Sequence, residues 1–167
     1  MSQWNGIYLF EELEWTLPKI TGLFTDASDW GGGACFGRFY TVFKWKEDID
    51  LKTMNIQVRE MLVIVVATLT FQRFWQRKRI IIETDSQANI ASVARGACDN
   101  KLVHQLIKTF VSVQILGNFS IRLVYINTHD NVWADALSRE DPEPFRSGVE
   151  NPVFITPIFP PNFPDIV

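Results

Sequence analysis

The chain has few cysteines and no long apolar run, and each shortage excludes a class of protein. Its two cysteines, Cys35 and Cys98, are too few for a disulfide framework, and no Cys-x-x-Cys spacing suggests a zinc site. The longest apolar run, Met61 to Leu69, is much shorter than the roughly 18 to 20 residues of a membrane span. The first residues lack the cationic start and the small-residue cleavage site of a secretory signal. We therefore expect no membrane association and an intracellular location, cytoplasmic or nuclear.

Positive charge is also scarce. There are 16 Lys and Arg residues against 19 Asp and Glu, which gives a net charge of −3. Because free-standing nucleic-acid-binding domains are usually basic, this balance weighs against one. Apolar residues, by contrast, are plentiful: 47% of the chain is hydrophobic and 13% aromatic, which excludes a largely disordered protein. A chain of 167 residues can build one such core and is short for two.

Proline content divides the chain into three parts. Residues 1–20 form a mixed lead-in that includes Pro18, residues 21–140 a folded body, and residues 141–167 a tail. Seven of the eight prolines lie after Glu140, so we expect neither a helix nor a central strand in the tail. Its phenylalanine and aliphatic residues leave three alternatives: a linker, a segment that packs on its own domain, or a docking site for a partner protein.

Hydrophobic periodicity in the body predicts an α/β fold with the element order β-β-β-α-β-α-α-β-α. Strands are expected in GLFTDAS, twice in GACFGRFYTVFKWK, in RIIIET and in FSIRLVYI, with a turn at DWGGG. The segment MNIQVREMLVIVVATLTFQRFWQ predicts a helix buried on most sides, and shorter helices are expected at about 86–94, in NKLVHQLIKTFVSVQIL and in NVWADALSR. Successive strands indicate an antiparallel meander, and strands joined through helices indicate parallel neighbours.

Four carboxylates are distinguished by their positions. Asp26 closes the first strand, and Asp85 follows a buried β-branched strand, where a charge is costly unless something pairs with it. Glu60 lies in the first turns of the long apolar helix, and Asp135 begins the last helix. Because sites in open α/β sheets gather at the carboxyl ends of strands, Asp26 and Asp85 are expected to be neighbours there if their strands pair. Clustered carboxylates take up protons unless cations are bound, and such oxygen ligands favour Mg²⁺ or Mn²⁺.

Each carboxylate taken alone also has a simpler interpretation. Asp26 precedes a glycine run and is typical of a turn, and Glu60 is compatible with a solvated helix face. Asp85 with Ser86 is typical of a helix N-cap. Asp135 is a first-turn charge that the helix dipole favours. Only the four together indicate a metal site.

Four segments, taken together, resemble one family. FTDASDWGGGACF, QVREMLVIVVA, IIIETDSQANI and NVWADALSR resemble, in this order, the ribonuclease H domain that follows the reverse transcriptase of retroelements. The ADALSR ending is most similar to long-terminal-repeat and tyrosine-recombinase (DIRS-type) elements. The resemblance covers about residues 21–140. Any one of these motifs is weak evidence, and their combination in the family's order carries the resemblance.

The resemblance implies a ribonuclease H-like fold, a five-stranded mixed sheet in the order 3-2-1-4-5 with helices on both faces. It also implies endonucleolytic hydrolysis of the RNA strand of RNA/DNA hybrids with two Mg²⁺ (or Mn²⁺) ions as cofactors. By matching motif, Asp26 would bridge both ions, Asp135 would complete the first site, and Glu60 and Asp85 would hold the second. Glu60 is also expected to take part in recognition of the 2′-hydroxyl.

Further residues are expected around this site. Many family members carry an assisting histidine about ten residues before the final aspartate; here that position is Tyr125, and His129, six before Asp135, is the candidate for the catalytic role. The residues expected to contact substrate are Ser28, Trp30, Ser86, Asn89 and Arg79. The last of these belongs to a basic cluster, Arg73, Arg77, Lys78 and Arg79, that is either a solvated helix end or a phosphate-binding patch.

The partners expected from the resemblance are an RNA/DNA hybrid and a reverse transcriptase polymerase domain, in cis or in trans. A protein partner could also bind through the C-terminal tail. An alternative function keeps the fold but makes the chain a domesticated or accessory domain that binds a partner and cuts little. A third candidate, a DNA-directed enzyme of the same superfamily such as an integrase, would show a different acidic pattern.

Overall fold

The computed structural model describes residues 19–47 and 54–161. The elements in chain order are β1 (Lys19–Ala27), β2 (Gly31–Phe36), β3 (Phe39–Lys44), α1 (Ile56–Phe71), a 3-10 turn (Gln72–Phe74), β4 (Arg79–Thr84), α2 (Gln87–Arg95), α3 (Lys101–Gly117), β5 (Ser120–Tyr125), α4 (Val132–Ser138), α5 (Glu143–Gly148) and β6 (Val153–Phe154). None of the helices in these ranges has the length and apolar character needed to cross a membrane.

The strands form one mixed sheet in the order β5-β4-β1-β2-β3-β6. Strands β1, β2 and β3 pair antiparallel, whereas β4 pairs parallel with both β1 and β5. The predicted α/β class is confirmed, and the five predicted strands occur in the predicted order. The predicted strand count was wrong, because β6 adds a sixth strand in parallel beside β3.

Helix α1 is the centre of the larger core. Thirteen of its 16 residues are buried, which confirms the prediction of a helix buried on most sides. It packs between β1 and β2 on one side and α3 on the other. Asn55 caps its first turn by accepting a hydrogen bond from the Val58 backbone N–H at 3.1 Å, which fixes where the helix starts.

Helices cover both faces of the sheet. Because side chains alternate along a strand, Ala34 faces the core with α1 and α3, and the next residue, Cys35, faces a second core with α4 and α5. Leu137 of α4 and Phe145 of α5 complete this smaller cluster together with Tyr40 of β3. The last helices are therefore held to the sheet by their own apolar contacts.

The glycine run was expected to be a turn, and this was wrong. Gly31, Gly32 and Gly33 all lie in β2, and the turn consists of Asp29 and Trp30. A Cβ atom at Gly33 would lie 2.5 Å from both Leu137 Cβ and the Ser138 backbone N. The missing side chain thus permits close packing of α4 on the sheet, which is the physical reason for a glycine within a strand.

The tail was expected to contain no helix, and this was also wrong. Pro142 and Pro144 stand at the start of α5, where the missing N–H groups are tolerated. After α5, the backbone N–H groups of Val153 and Ile155 donate to Arg38 and Tyr40 at 2.8 Å and add β6 to the sheet edge. The described tail packs on its own domain. The predicted lead-in lies outside the described residues apart from Lys19 and Ile20, which belong to β1.

The packing of the tail predicts a contrast between two phenylalanines. Phe145 is completely buried, whereas Phe154 is 48% exposed. We expect Phe145→Ala to lower the free energy of unfolding by about 3 to 5 kcal/mol, and Phe154→Ala by about 1 kcal/mol. Urea unfolding of the two variants measures both changes. Similar losses in the two variants would contradict a role for Phe145 in the core.

Candidate active site

Two of the four predicted carboxylates meet at the carboxyl edge of the sheet. Asp26 is the penultimate residue of β1, and Asp85 directly follows β4. These strands are parallel neighbours, with Phe24 opposite Glu83, so their carboxyl ends lie side by side. Asp26 is therefore not a turn residue. Asp85 is not the N-cap of α2 either, since Ser86 holds that position without a side-chain cap bond; Asp85 Oδ2 instead accepts a hydrogen bond from the Thr128 hydroxyl at 2.8 Å.

Glu60 of α1 completes a group of three. Asp26, Glu60 and Asp85 each contribute a carboxylate oxygen, and these three oxygens lie within 4.8 Å of one another. Glu60 is 5% exposed, which excludes the solvated-helix interpretation. Its carboxylate reaches the sheet because α1 packs on β1, and its Oε1 atom accepts a hydrogen bond from the Ala27 backbone N–H at 3.3 Å.

One oxygen of each carboxylate is oriented by a neighbour. The Ser138 hydroxyl of α4 donates to Asp26 Oδ2 at 2.8 Å, as Thr128 does to Asp85 and Ala27 to Glu60. The second oxygen of Glu60, Oε2, is buried and has no hydrogen-bond partner among the residues that the structure describes. A buried acceptor without a partner is costly and requires an explanation. Here the unpartnered oxygen belongs to the cluster of three carboxylates.

The close contact at Gly33 sets the position of Ser138. Gly33 pairs with Asp26 across β1 and β2, and α4 lies directly on Gly33. The helix is also anchored from the loop before it, where the Asn131 side-chain amide donates to the Thr25 backbone oxygen at 3.0 Å. A hydroxyl from 112 residues further along the chain is thereby placed on the Asp26 carboxylate.

Two carboxyls of the cluster have raised pKa values. The pKa of Asp26 is raised to about 7, mainly by burial and also by repulsion from Asp85 and Asp135. The hydrogen bond from Ser138 lowers this pKa, but by less than burial raises it. Burial likewise raises the pKa of Glu60 to about 9, with added repulsion from Asp26 and Asp85. Both shifts follow the expectation that clustered carboxylates hold protons when no cation neutralises them.

The fourth predicted carboxylate lies beside this group. Asp135 is in the first turn of α4, and its Oδ1 atom accepts hydrogen bonds from Arg139 Nε at 3.1 Å and Nη2 at 2.9 Å. Its charge contributes to the raised pKa of Asp26, so it lies within electrostatic range of that residue. The structure therefore brings three of the four together and pairs the fourth with Arg139 at the rim.

The turn after β1 is rigidly held and exposes a tryptophan. Ser28 Oγ accepts hydrogen bonds from the backbone N–H groups of Trp30 and Gly31, and it donates to the Ser138 backbone oxygen. Arg59, which precedes Glu60, donates to the Ser28 backbone oxygen at 2.8 Å and to Asp29 at 2.6 Å. Ser28 is thus a buried structural residue, and the Trp30 side chain is 60% exposed.

Other residues predicted to act at the site have different surroundings. His129 lies exposed in the loop before α4, and its backbone N–H donates to Asn127. Asn89 is completely buried, and its amide nitrogen donates to the Gln57 backbone oxygen and to Ser86 Oγ, both at 2.9 Å. Asn89 thus connects α2 to α1. Contact of Asn89, Ser86 and Ser28 with substrate stays a prediction.

The basic cluster lies at the opposite end of the sheet. Arg79 begins β4 and Asp85 follows its last residue, so the rise of a strand separates them by roughly 20 Å. Arg77 and Lys78 lie in the turn before β4 and are exposed. The cluster is therefore separated from the carboxylates by the length of a strand.

Sequence reasoning missed the residues that orient the carboxylates. Ser138 and Thr128 each donate to one carboxylate, and Arg139 pairs with Asp135. The four-residue spacing from Asp135 to Arg139 on a helix was a usable signal for that ion pair. Nothing in the sequence singled out Ser138 or Thr128, because a hydroxyl partner far along the chain has no local pattern.

The three carboxylates are chemically suited to a divalent cation. Carboxylate oxygens are hard ligands of the kind that Mg²⁺ and Mn²⁺ prefer. The buried, unpartnered Glu60 Oε2 and the raised pKa values of Asp26 and Glu60 describe a group that lacks positive charge. A bound cation would supply that charge, so the residues present fit a metal site.

Comparison with solved structures supports the fold assignment. The crystal structure of RNase H1 from the halophilic archaeon Halobacterium salinarum superimposes on 76% of this chain and 99% of its own, with a TM-score of 0.55 and 13% identity. No family model matches the sequence, and no curated protein is similar enough to count as a relative. The chain has a ribonuclease H-like fold.

The raised pKa values predict how stability depends on pH. Well below the ordinary pKa values of 3.8 and 4.5, both carboxyls are protonated in the folded and the unfolded chain, so neither affects stability. As the pH rises, the unfolded chain ionises first and stability falls, up to about pH 7 for Asp26 and about pH 9 for Glu60. We expect Glu60→Gln to raise the free energy of unfolding at pH 7, without divalent ions, on the order of 3 kcal/mol.

Urea unfolding at pH 5, 7 and 9 in a chelator measures this effect. Mg²⁺ or Mn²⁺ should restore stability at pH 9 in the unsubstituted chain and much less in Glu60→Gln. A stability that is constant from pH 5 to 9 in the chelator would show that the buried carboxyls ionise normally.

Proposed function

We propose that this chain is a metal-dependent nuclease that hydrolyses the RNA strand of RNA/DNA hybrids. The observation that carries the proposal is the group of Asp26, Glu60 and Asp85 at the carboxyl edge of a ribonuclease H-like sheet, with Glu60 Oε2 buried and unpartnered. A residue that served only to fill the core would not be a carboxylate placed beside two further carboxylates. The group therefore indicates cation binding.

The family resemblance suggests which residues hold which ion. Asp26 would contact both, Asp135 would join it at one, and Glu60 and Asp85 would hold the other. When bound, the two ions would activate the attacking water and stabilise the leaving 3′-oxygen of an in-line displacement. Asp135 retains one carboxylate oxygen outside its ion pair with Arg139, so it can join the group without giving up that pair.

The protein's own groups would position the carboxylates. Ser138 and Thr128 each hold one oxygen of an aspartate and leave the other for a ligand. The hydrogen bond from Ala27 does the same for Glu60, and the buried position of Glu60 excludes water from one side of the site. In the hydrolysis, the water oxygen gives up a proton to solvent and bonds to phosphorus, the bond to the 3′-oxygen breaks, and that oxygen takes up a proton. The products carry 5′-phosphate and 3′-hydroxyl ends.

Contacts to the hybrid would come from the turn beside the site. Trp30 is exposed, and its backbone is fixed through Ser28 and through a hydrogen bond from Trp45 N–H to its oxygen at 3.0 Å. A rigid aromatic side chain offers contact area at a small entropic cost. His129, on an exposed loop that also carries Thr128, could reach substrate or product and assist proton transfer.

The motif resemblance further suggests an origin in a retroelement reverse transcriptase. In that setting a polymerase domain, in cis or in trans, would supply much of the affinity for the hybrid. The charge balance supports this division, since the chain carries a net charge of −3 and phosphate contacts need Lys and Arg. The described tail contacts its own domain through β6 and α5, so a partner would meet a folded surface there.

We expect Asp85→Asn to abolish cleavage of a labelled RNA/DNA hybrid in Mg²⁺ or Mn²⁺. The loss should exceed the roughly 10- to 100-fold that removal of an outer-shell partner costs, because a ligand itself is lost. Asp99→Asn is the matched control, since Asp99 is an exposed aspartate in the turn between α2 and α3. The loss of cleavage activity in Thr128→Ala should lie between the losses in these two variants.

Substrates and metal binding separate the alternatives. Double-stranded DNA and single-stranded RNA should remain intact. Cleavage of DNA would place the chain in another branch of the superfamily. Metal binding by a well-folded chain that cuts no hybrid, even with a polymerase domain added, would favour the accessory, partner-binding function.

Trp30→Ala should raise KM for the hybrid roughly tenfold, the equivalent of about 1.4 kcal/mol of lost contact. Metal affinity should stay unchanged, because Trp30 is exposed and forms no hydrogen bond to a carboxylate within residues 19–47 and 54–161. Trp30→Phe keeps an aromatic ring and should restore most of the affinity. Steady-state kinetics and calorimetric metal titration test this, and an unchanged KM in Trp30→Ala would exclude the substrate contact.

A further inference from the structure

A group of exposed apolar side chains lies at the end of the sheet opposite the carboxylates. A groove of about 840 Å³ lies there between the end of α1, the end of α3 and the tail. Leu116 of α3 is 87% exposed, and Phe154 and Ile158 of the tail are about half exposed. All three line the groove. Apolar side chains gathered in a concavity indicate a docking surface more than scattered ones do.

The surroundings of the groove are basic. Arg73 lines it, and Arg77 and Lys78 line a second, adjoining groove on the other side of the α3 terminus. Neither groove is lined by a described Asp or Glu residue. The surface therefore suits a segment that is both apolar and acidic.

Residues 1–18 have this chemistry. The segment MSQWNGIYLFEELEWTLP contains four aromatic residues and three glutamates, Glu11, Glu12 and Glu14, and it has no Lys or Arg. Its attachment point is also suitable. Lys19 begins β1 and pairs with Arg79, the residue directly after Arg77 and Lys78. Glu14 precedes Lys19 by five residues, a reach of at most about 18 Å.

We propose that residues 1–18 dock in this groove, with their apolar side chains against Leu116 and Ile158 and their glutamates towards the basic residues. The C-terminal residues 162–167 are a weaker candidate. The chain leaves the groove before them, because the Phe159 ring packs on Phe43 near the carboxyl end of β3, 5.1 Å between ring centroids. They also carry a single acidic side chain, Asp165.

Hydrogen exchange of the full chain, followed by mass spectrometry of its N-terminal peptides, tests the proposal. Amides within 1–18 should exchange more slowly than in the isolated peptide. Leu116→Glu should reduce that protection roughly tenfold or more, since a leucine that the docked segment would cover is replaced by a charge that repels the glutamates. Ile56→Glu is the matched control at the other end of the molecule, where Ile56 is 52% exposed on the first turn of α1, and it should change nothing.

A charge exchange provides a second, independent test. Replacing Arg77 and Lys78 with Glu should lower the protection, and replacing Glu11, Glu12 and Glu14 with Lys in the same chain should restore it. Restoration would distinguish attraction between these groups from a general loss of folding.

Several outcomes would overturn the proposal. Unprotected N-terminal amides, or equal effects of Leu116→Glu and Ile56→Glu, would show that the segment does not occupy the groove. Protection that disappears on dilution would assign the groove to a second copy of the chain. Protection that is lost when residues 162–167 are removed would assign it to the C-terminus.

Discussion

Burial of carboxylates side by side is the constraint on which the rest of this structure depends. Asp26 and Glu60 are almost completely inaccessible and lie within reach of Asp85. Their mutual repulsion and their lost hydration favour the protonated forms, so the cluster opposes folding at neutral pH unless positive charge enters it. A sequence selected for stability alone would have an apolar residue at position 60. The carboxylates therefore indicate function more directly than the fold does.

The strands and helices around the cluster hold it in place through residues that are locally unfavourable for a strand or a helix. A glycine such as Gly33 weakens a strand because it has no side chain to pack. Here the missing side chain lets α4 lie against the sheet and place Ser138 on Asp26. Arg59 is buried beside Glu60 and ties α1 to the turn after β1. Such positions depart from the best local choice for a strand or a helix, and departures of this kind concentrate at functional sites.

The positions of the carboxylates could be predicted from the sequence, whereas their partners could not. Strand ends and a charge on an apolar helix are local patterns, so Asp26, Glu60 and Asp85 were identified from them. Ser138 was missed because its contact spans 112 residues, and the glycine run was misinterpreted because glycine suits a turn and a close approach equally. The prolines in the tail did not exclude a helix or an edge strand there, since proline is tolerated at the start of a helix and beside an edge strand.

The two ends of the sheet have opposite characters, and this division bears on how the domain would hold a substrate. The carboxyl edge carries the acidic group, and the exposed bases Arg77 and Lys78 lie at the amino ends of the strands. A strand of six residues separates the two, roughly 20 Å. Phosphates bound at the carboxylates would therefore gain little from these bases, because charges so far apart at the surface are screened by salt. The exposed bases Arg77 and Lys78 can therefore also attract a negatively charged group of the chain itself, and the acidic N-terminal segment provides one.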